Sequence, residues 1–206
     1  MDVLDSLKNE IKLKISNDSA HDFDHVMRVY KNAQKICKNE KVHPKLVLCA
    51  VLLHDIISYP KSGKRSKLSS IKSSEASKKI LKKYGFTRDE IQIISEAIRD
   101  HSFSQNKTPK TIEGKILQDA DRLDAIGAIG IARVFAVAGS ENRPFYNPAD
   151  PFCKKRSSDD QKWTLDHFYK KLLLLESLMN TKSGKSEAKR RTIVLKNFLS
   201  ELKKEL

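Results

Sequence analysis

Along this chain apolar residues recur every three to four positions and almost nowhere every second one. Val3, Leu4, Leu7 and Ile11 share one face of a helix that should stop before Asn17. Asn17, Asp18 and Ser19 are turn and cap types, so a second helix is expected from near Ala20 to about Asn39, with Val26, Val29, Ala33 and Ile36 turned inward. The stretch from Leu46 to Asp55 has no polar face at all until it ends on His54 and Asp55. It is too short to span a membrane and too apolar to face water, so it predicts a helix inside the core, entered through the break at His43-Pro44.

Beyond Asp55 the text turns polar and basic, with Pro60 and Gly63, which reads as a mobile loop leaving the core helix where His54 and Asp55 lie. Ser73 or Ser74 can cap a fourth helix running to about Tyr84, with Gly85 as its stop. Thr87-x-x-Glu90 is a capping box for a fifth that reaches about Asp100 and ends at His101-Ser102. Thr111 can cap a long helix whose apolar and small positions run from Ile116 to Val134. Residues 139–161 hold three prolines and read as a long loop. Two closing helices, Trp163 to Met179 and Ser186 to Leu202, should flank a turn at Thr181 to Gly184. No strand pattern competes, so the expected fold is all-α: one domain over 1–206, with a core at about 20–139 and a carboxyl-terminal hairpin at about 162–205.

Length and composition leave this picture intact. A chain of 206 residues buries about 70% of its unfolded surface without disulfides. Three cysteines, two of them (Cys37 and Cys49) inside apolar patterns, suit reduced thiols used as small hydrophobes. The first residues carry no apolar signal core, and no window approaches the roughly 20 apolar residues of a spanning helix, so a soluble cytoplasmic protein is expected. Charge adds a new element. Forty Lys and Arg against 26 Asp and Glu give +14, concentrated at Lys61 to Lys83 and Lys182 to Leu206, which would attract nucleotides or nucleic acid, or simply keep a surface solvated. No aromatic residue lies between Lys61 and Lys83, so a stacking platform for single strands is missing there.

The chemistry sits where polar residues interrupt apolar helices. His25, the pair His54-Asp55 and Asp121 each fall on a separate predicted helix. Two imidazoles and two carboxylates neutralise a dication with mixed nitrogen and oxygen ligands, suited to one Mn²⁺ foremost, with Mg²⁺, Co²⁺, Fe²⁺ or Ni²⁺ also compatible, and leave positions open for water and substrate. A closed structural zinc site would call on closely spaced thiolates, which the chain lacks.

The order His25-x-x-Arg28-Val29, His54-Asp55, Asp121-Arg122-Leu123 resembles the HD superfamily of metal-dependent phosphohydrolases. The surrounding text, HDFDHVMRV, LLHDI, HSFS, EGKILQDADRLDAIGAIGIARVF and HFYKKLLLLESLMNT, is similar to one branch, bacterial and archaeal HD enzymes associated with hydrolysis of nucleoside triphosphates to monophosphate and pyrophosphate. The resemblance implies a helical HD bundle with His25, His54, Asp55 and Asp121 as metal ligands, and His101, the only histidine between the HD pair and the last aspartate, as a contact to substrate or a proton donor at a mononuclear site. Relatives often carry an acid near the position of Ser58; here none follows until Glu75, which leaves the usual acid/base or water-holding carboxylate without an evident counterpart. Arg28, Arg122, Lys61 and Lys64 are candidates for the phosphates, although Arg28 equally suits a pair with Asp24, and His21 could extend the site from one turn before His25 or face solvent. On the helix of Asp121, Asp119 and Asp124 point about 160° and 60° away, which favours Asp124 as a supporting group. The expected partner is a nucleotide, with no membrane, as a monomer or a homodimer formed through Leu172 to Leu175. The alternatives are a 5′-nucleotidase or phosphodiesterase of the same superfamily, or a nucleic-acid-binding module that keeps a degenerate HD core.

Overall fold

The computed structural model describes residues 2–15, 22–59 and 64–206. Among them every regular element is helical and there is no strand, as the three-to-four spacing requires. The α-helices are α1 (Val3–Lys12), α2 (Phe23–Glu40), α3 (Pro44–Leu53), α4 (Ser69–Lys83), α5 (Arg88–Asp100), α6 (Ile112–Asp124), α7 (Gly127–Ser140), α8 (Asp166–Lys170) and α9 (Lys182–Glu205). Short 3₁₀ turns occur at Lys64–Leu68, Phe103–Gln105 and Leu172–Leu174. None of these helices alone is long and apolar enough to cross a membrane. His21, Lys61 and the expected cap at Asn17 to Ser19 lie outside the described residues.

Two compact units divide the chain: Met1–Asp121 with Asn180–Gly184, and Arg122–Met179 with Lys185–Leu206. In the first, α3 is the axle. Every residue from Val47 to Leu53 is buried, and α1, α2, α4 and α5 all pack against this helix. An element apolar all round can exist only with neighbours on every side, and each fully buried Val or Leu contributes roughly 2 kcal/mol. Pro44 opens α3 at a position whose N–H would have no partner in any case, and the His43 ring accepts from the Lys45 amide. Cys37 and Cys49 are buried, and burial pushes their thiols up to about 11 and about 12, so both act as small apolar groups.

Several boundaries move for identifiable reasons. Helix α2 starts at Phe23 rather than near Ala20, because Asp22 is its cap and its carboxylate accepts from the amide of His25 at 2.7 Å. Helix α4 starts at Ser69, well before Ser73 and Ser74, which are buried and bond other segments instead of capping. The Thr87 capping box, the Gly85 stop at φ +75° and the Asp100 end of α5 stand as read from the sequence. The long helix from Thr111 is interrupted: α6 ends at Asp124, and α7 opens at Gly127 with φ +78°, a conformation that admits glycine and strains other residues.

The second unit contains an aromatic cluster, Phe135 with Phe145, Phe168 and Phe198 at ring separations of 5.3, 6.3 and 5.9 Å. The proline-rich excursion is an ordered loop, returned to Pro144 and Phe145 by the amides of Thr164 and Leu165. The expected helix from Trp163 to Met179 is broken into α8 and a 3₁₀ turn where Lys171 leaves helical geometry. Only the second arm of the hairpin, α9, is a full-length helix.

Candidate metal centre

Four elements of the first unit deliver the chemistry. His25 sits in the first turn of α2, fixed by the Asp22 cap on its own amide. His54 is the C-cap of α3 and fully buried, while Asp55 lies just past the helix. His101 is the C-cap of α5, and Asp121 is on α6. Helices α2 and α6 are tied by the buried Asn32 side chain, which donates to the carbonyl of Ala120 at 3.2 Å. That bond sets the level of Asp121 against the helix that carries His25.

The side chains converge. His25 Nε2 is 3.6 Å from Asp121 Oδ1 and 3.7 Å from Asp55 Oδ2, and His54 Nε2 is 3.5 Å from Asp55 Oδ2. One donor atom from each of His25, His54 and Asp121 lies within 4.8 Å of the others, and the same holds for His54, Asp55 and His101. Both imidazoles of the metal set are buried, whereas the Asp55 and Asp121 side chains are 14% and 29% exposed, so the carboxylates form the mouth and the rings the floor.

Tautomers follow from the bonds. His54 Nδ1 is 2.7 Å from the carbonyl of Val51, and His101 Nδ1 is 2.6 Å from that of Ile98. A carbonyl can only accept, so each Nδ1 carries a proton, which leaves Nε2 as the ring nitrogen turned toward the cluster. The Nε2 of His54 is buried and has no hydrogen-bond partner among the described residues, a cost tolerated where a cation completes the atom. This orphaned nitrogen, with two carboxylates at 3.5–3.7 Å from imidazole nitrogens, fits a divalent ion. Burial, reinforced by His54 nearby, pushes His101 below the ordinary histidine value. For Asp121 burial favours the neutral acid, but His25, His101 and His54 together outweigh it and hold the carboxyl below its usual range.

The other expected site residues are spread more widely. Arg28 is half-buried on α2, one turn after His25, and Lys64 begins the first 3₁₀ turn. Arg122 is 8% exposed and donates to the carbonyl of Leu178, and Asp124 accepts from Arg133 at 2.7 Å; both contacts belong to the second unit. His167 pairs with Asp160 at 2.8 Å.

Of two further neighbours of Asp121, Gln118 escapes the sequence reading and Asp119 is read there only as pointing away from the site. Gln118 is fully buried, and its amide nitrogen donates to the carbonyls of Asp100, His101 and Lys107, bracing the turn that holds His101. Asp119, also fully buried, accepts from the amides of Asn180 and Thr181, from the Asn180 side chain and from the Thr181 hydroxyl. The available signal was two polar residues beside Ala120 in a helix with no polar face.

A family model for the HD domain matches residues 22–126. The Bacillus subtilis protein YpgQ is 33% identical over 192 residues, which cover 91% of this chain and 85% of YpgQ. The crystal structure of B. subtilis YpgQ in complex with ADP superposes with a TM-score of 0.75 at 30% identity, covering 98% of this chain and 94% of that one. That of an HD-superfamily hydrolase from Bacillus thuringiensis gives 0.75 at 31% identity, with 98% and 95% covered. Matched over half its length by the family model and carrying a histidine and aspartate cluster on the HD helices, the chain belongs to the HD domain family, with the fold of the HD-superfamily hydrolases.

Proposed function

We propose that the cluster is the catalytic centre of a divalent-metal-dependent phosphohydrolase acting on nucleotides, with hydrolysis of nucleoside triphosphates to monophosphate and pyrophosphate as its reaction. The observation that carries this reading is the convergence of His25, His54, Asp55 and Asp121 on one point, with imidazoles behind and carboxylates at the opening. An ion such as Mn²⁺ bound there supplies Lewis-acid charge and acidifies water. The ADP in the YpgQ complex supports a nucleotide as the ligand of this fold.

His25 and His54 would hold the ion through ring nitrogens, and Asp55 and Asp121 would balance its charge. With the proton of His101 committed to the Ile98 carbonyl, its Nε2 is an acceptor in the resting protein, placed to take a hydrogen bond or a proton from water or a substrate hydroxyl. Arg28, Lys61 and Lys64 are assigned the positive charge for the phosphates, with His21 as a further candidate. Arg122 and Asp124 bond Leu178 and Arg133 of the second unit, whereas Arg28 lies one turn from His25 on α2 and His101 beside His54, which favours Arg28 and His101 for phosphate and proton work.

The decisive experiment incubates metal-free protein with nucleoside tri-, di- and monophosphates and Mn²⁺, Mg²⁺, Co²⁺ or Zn²⁺, and separates pyrophosphate from orthophosphate. Metal-dependent release of pyrophosphate from triphosphates is expected. Orthophosphate alone, or turnover indifferent to metal, overturns the proposal.

A further inference from the structure

Of the four proposed ligands, Asp55 is the one no helix holds. His25 and Asp121 sit within α2 and α6, and His54 is still in helical conformation as the α3 cap. Asp55 follows the last turn, and its backbone is set by where the next residues are anchored.

They are anchored on α4. A single hydroxyl, Ser73 Oγ, accepts from the amide of Ile57 and donates to the carbonyl of Ile57, both at 3.1 Å. One turn earlier, Ser69 Oγ accepts from the amide of Tyr59 at 3.2 Å. Four residues of helix rise about 6.0 Å, so the hydroxyls of Ser69 and Ser73, one turn apart on α4, reach the amides of Tyr59 and Ile57, two residues apart in the chain. Ser73 is fully buried, so water cannot replace it. Helix α4 itself is fastened separately, by its packing on α5 and by Ser74, whose hydroxyl donates to the carbonyl of Ser95 at 2.6 Å.

We infer that Ser73 is a positioning residue for Asp55, clamping the chain two residues beyond it so that its carboxylate stays at the mouth of the cluster. The inference rests on the metal-site reading above. Removing the hydroxyl leaves both polar groups of Ile57 without their partner and frees the segment to swing, which lowers the affinity of the site for its ion. The expected loss is about 10- to 100-fold, the range for removing a group that orients a ligand.

The test measures Mn²⁺ binding to metal-free protein by titration calorimetry and by the electron-spin signal of free Mn²⁺, together with thermal stability. Ser73→Ala should weaken binding about 10- to 100-fold, and Ser73→Thr, which keeps the hydroxyl, should restore most of it. Ser74→Ala loses another buried hydroxyl bond on the same helix and should cost similar stability, with affinity within about twofold of the parent. If the parent binds Mn²⁺ and Ser73→Ala binds it equally well, or if Ser74→Ala weakens binding as much, the assignment to Ser73 fails while the metal site stands. If the parent itself takes no divalent ion, both fall.

Discussion

Two groups of aspartates in this protein, one fully buried and one partly so, differ in how their charges are met. In the second unit Asp166 is fully buried and saturated: Arg156 bonds both of its oxygens, and the amide of Asp159 adds a further bond at 2.6 Å. In the first unit Asp55 and Asp121 face imidazole nitrogens at 3.5–3.7 Å, beyond hydrogen-bond contact, around a His54 Nε2 with no hydrogen bond among the described residues. Burial alone would raise the Asp166 carboxyl, and Arg156 reverses this and holds it below its usual range. One arrangement is complete within the chain and spends its charge on folding. The other gathers two imidazoles and two carboxylates around that one buried His54 nitrogen, a donor set suited to a cation from outside.

The largest effect that tests this contrast is on activity. Asp121→Asn should reduce metal-dependent hydrolysis by more than about 100-fold, beyond the range for a supporting group, with helical circular dichroism unchanged and stability within about 1 kcal/mol of the parent. Asp166→Asn should do the reverse. It breaks a buried ion pair whose partner, Arg156, is 22% exposed, so the cost belongs near about 3 kcal/mol, read as a fall in Tm of roughly 6–12 °C at unchanged turnover per folded molecule. Equal destabilisation by the two changes would erase the distinction.

A smaller effect sharpens it at the protein surface. Glu187 is held at about 2, against an ordinary 4.5, by its bonds to Arg190 and Arg191. A depressed carboxyl stabilises the fold above its unfolded value and loses that contribution as pH falls toward the folded one. Glu187→Gln should therefore be less stable than the parent at neutral pH, with the two melting curves converging between about pH 4.5 and pH 2. A gap that stays constant across that window would show the pair to be electrostatically idle.

The residues that could be read from the sequence are those whose polarity conflicts with their surroundings. His54 and Asp55 end a run with no other polar member, and Asp121 lies in a helix with almost no polar face, which draws attention to them before the HD resemblance implies them as ligands. What stayed hidden depends on partners distant in the chain. Ser73 and Ser74 have the chemistry of caps, yet they bond Ile57 and the Ser95 carbonyl, 16 and 21 residues away, which local pattern does not encode. The break falls inside an apolar run, where an extended Ile126 (φ −125°, ψ 167°) and the positive φ of Gly127 separate α6 from α7. Lys171 likewise interrupts a leucine-rich stretch that reads as one helix.

Residues 118–121 on α6 serve four clients at once: the His101 turn through Gln118, the Asn180–Thr181 bend through Asp119, α2 through the Ala120 carbonyl, and His25 through Asp121. A slip of one residue turns a helix by about 100°, so no shift of α6 could preserve one of these links while trading away another. The helix works like a key with four cuts: a one-residue insertion ahead of Gln118 would misalign them all together, making this stretch intolerant of length change even where single substitutions are absorbed.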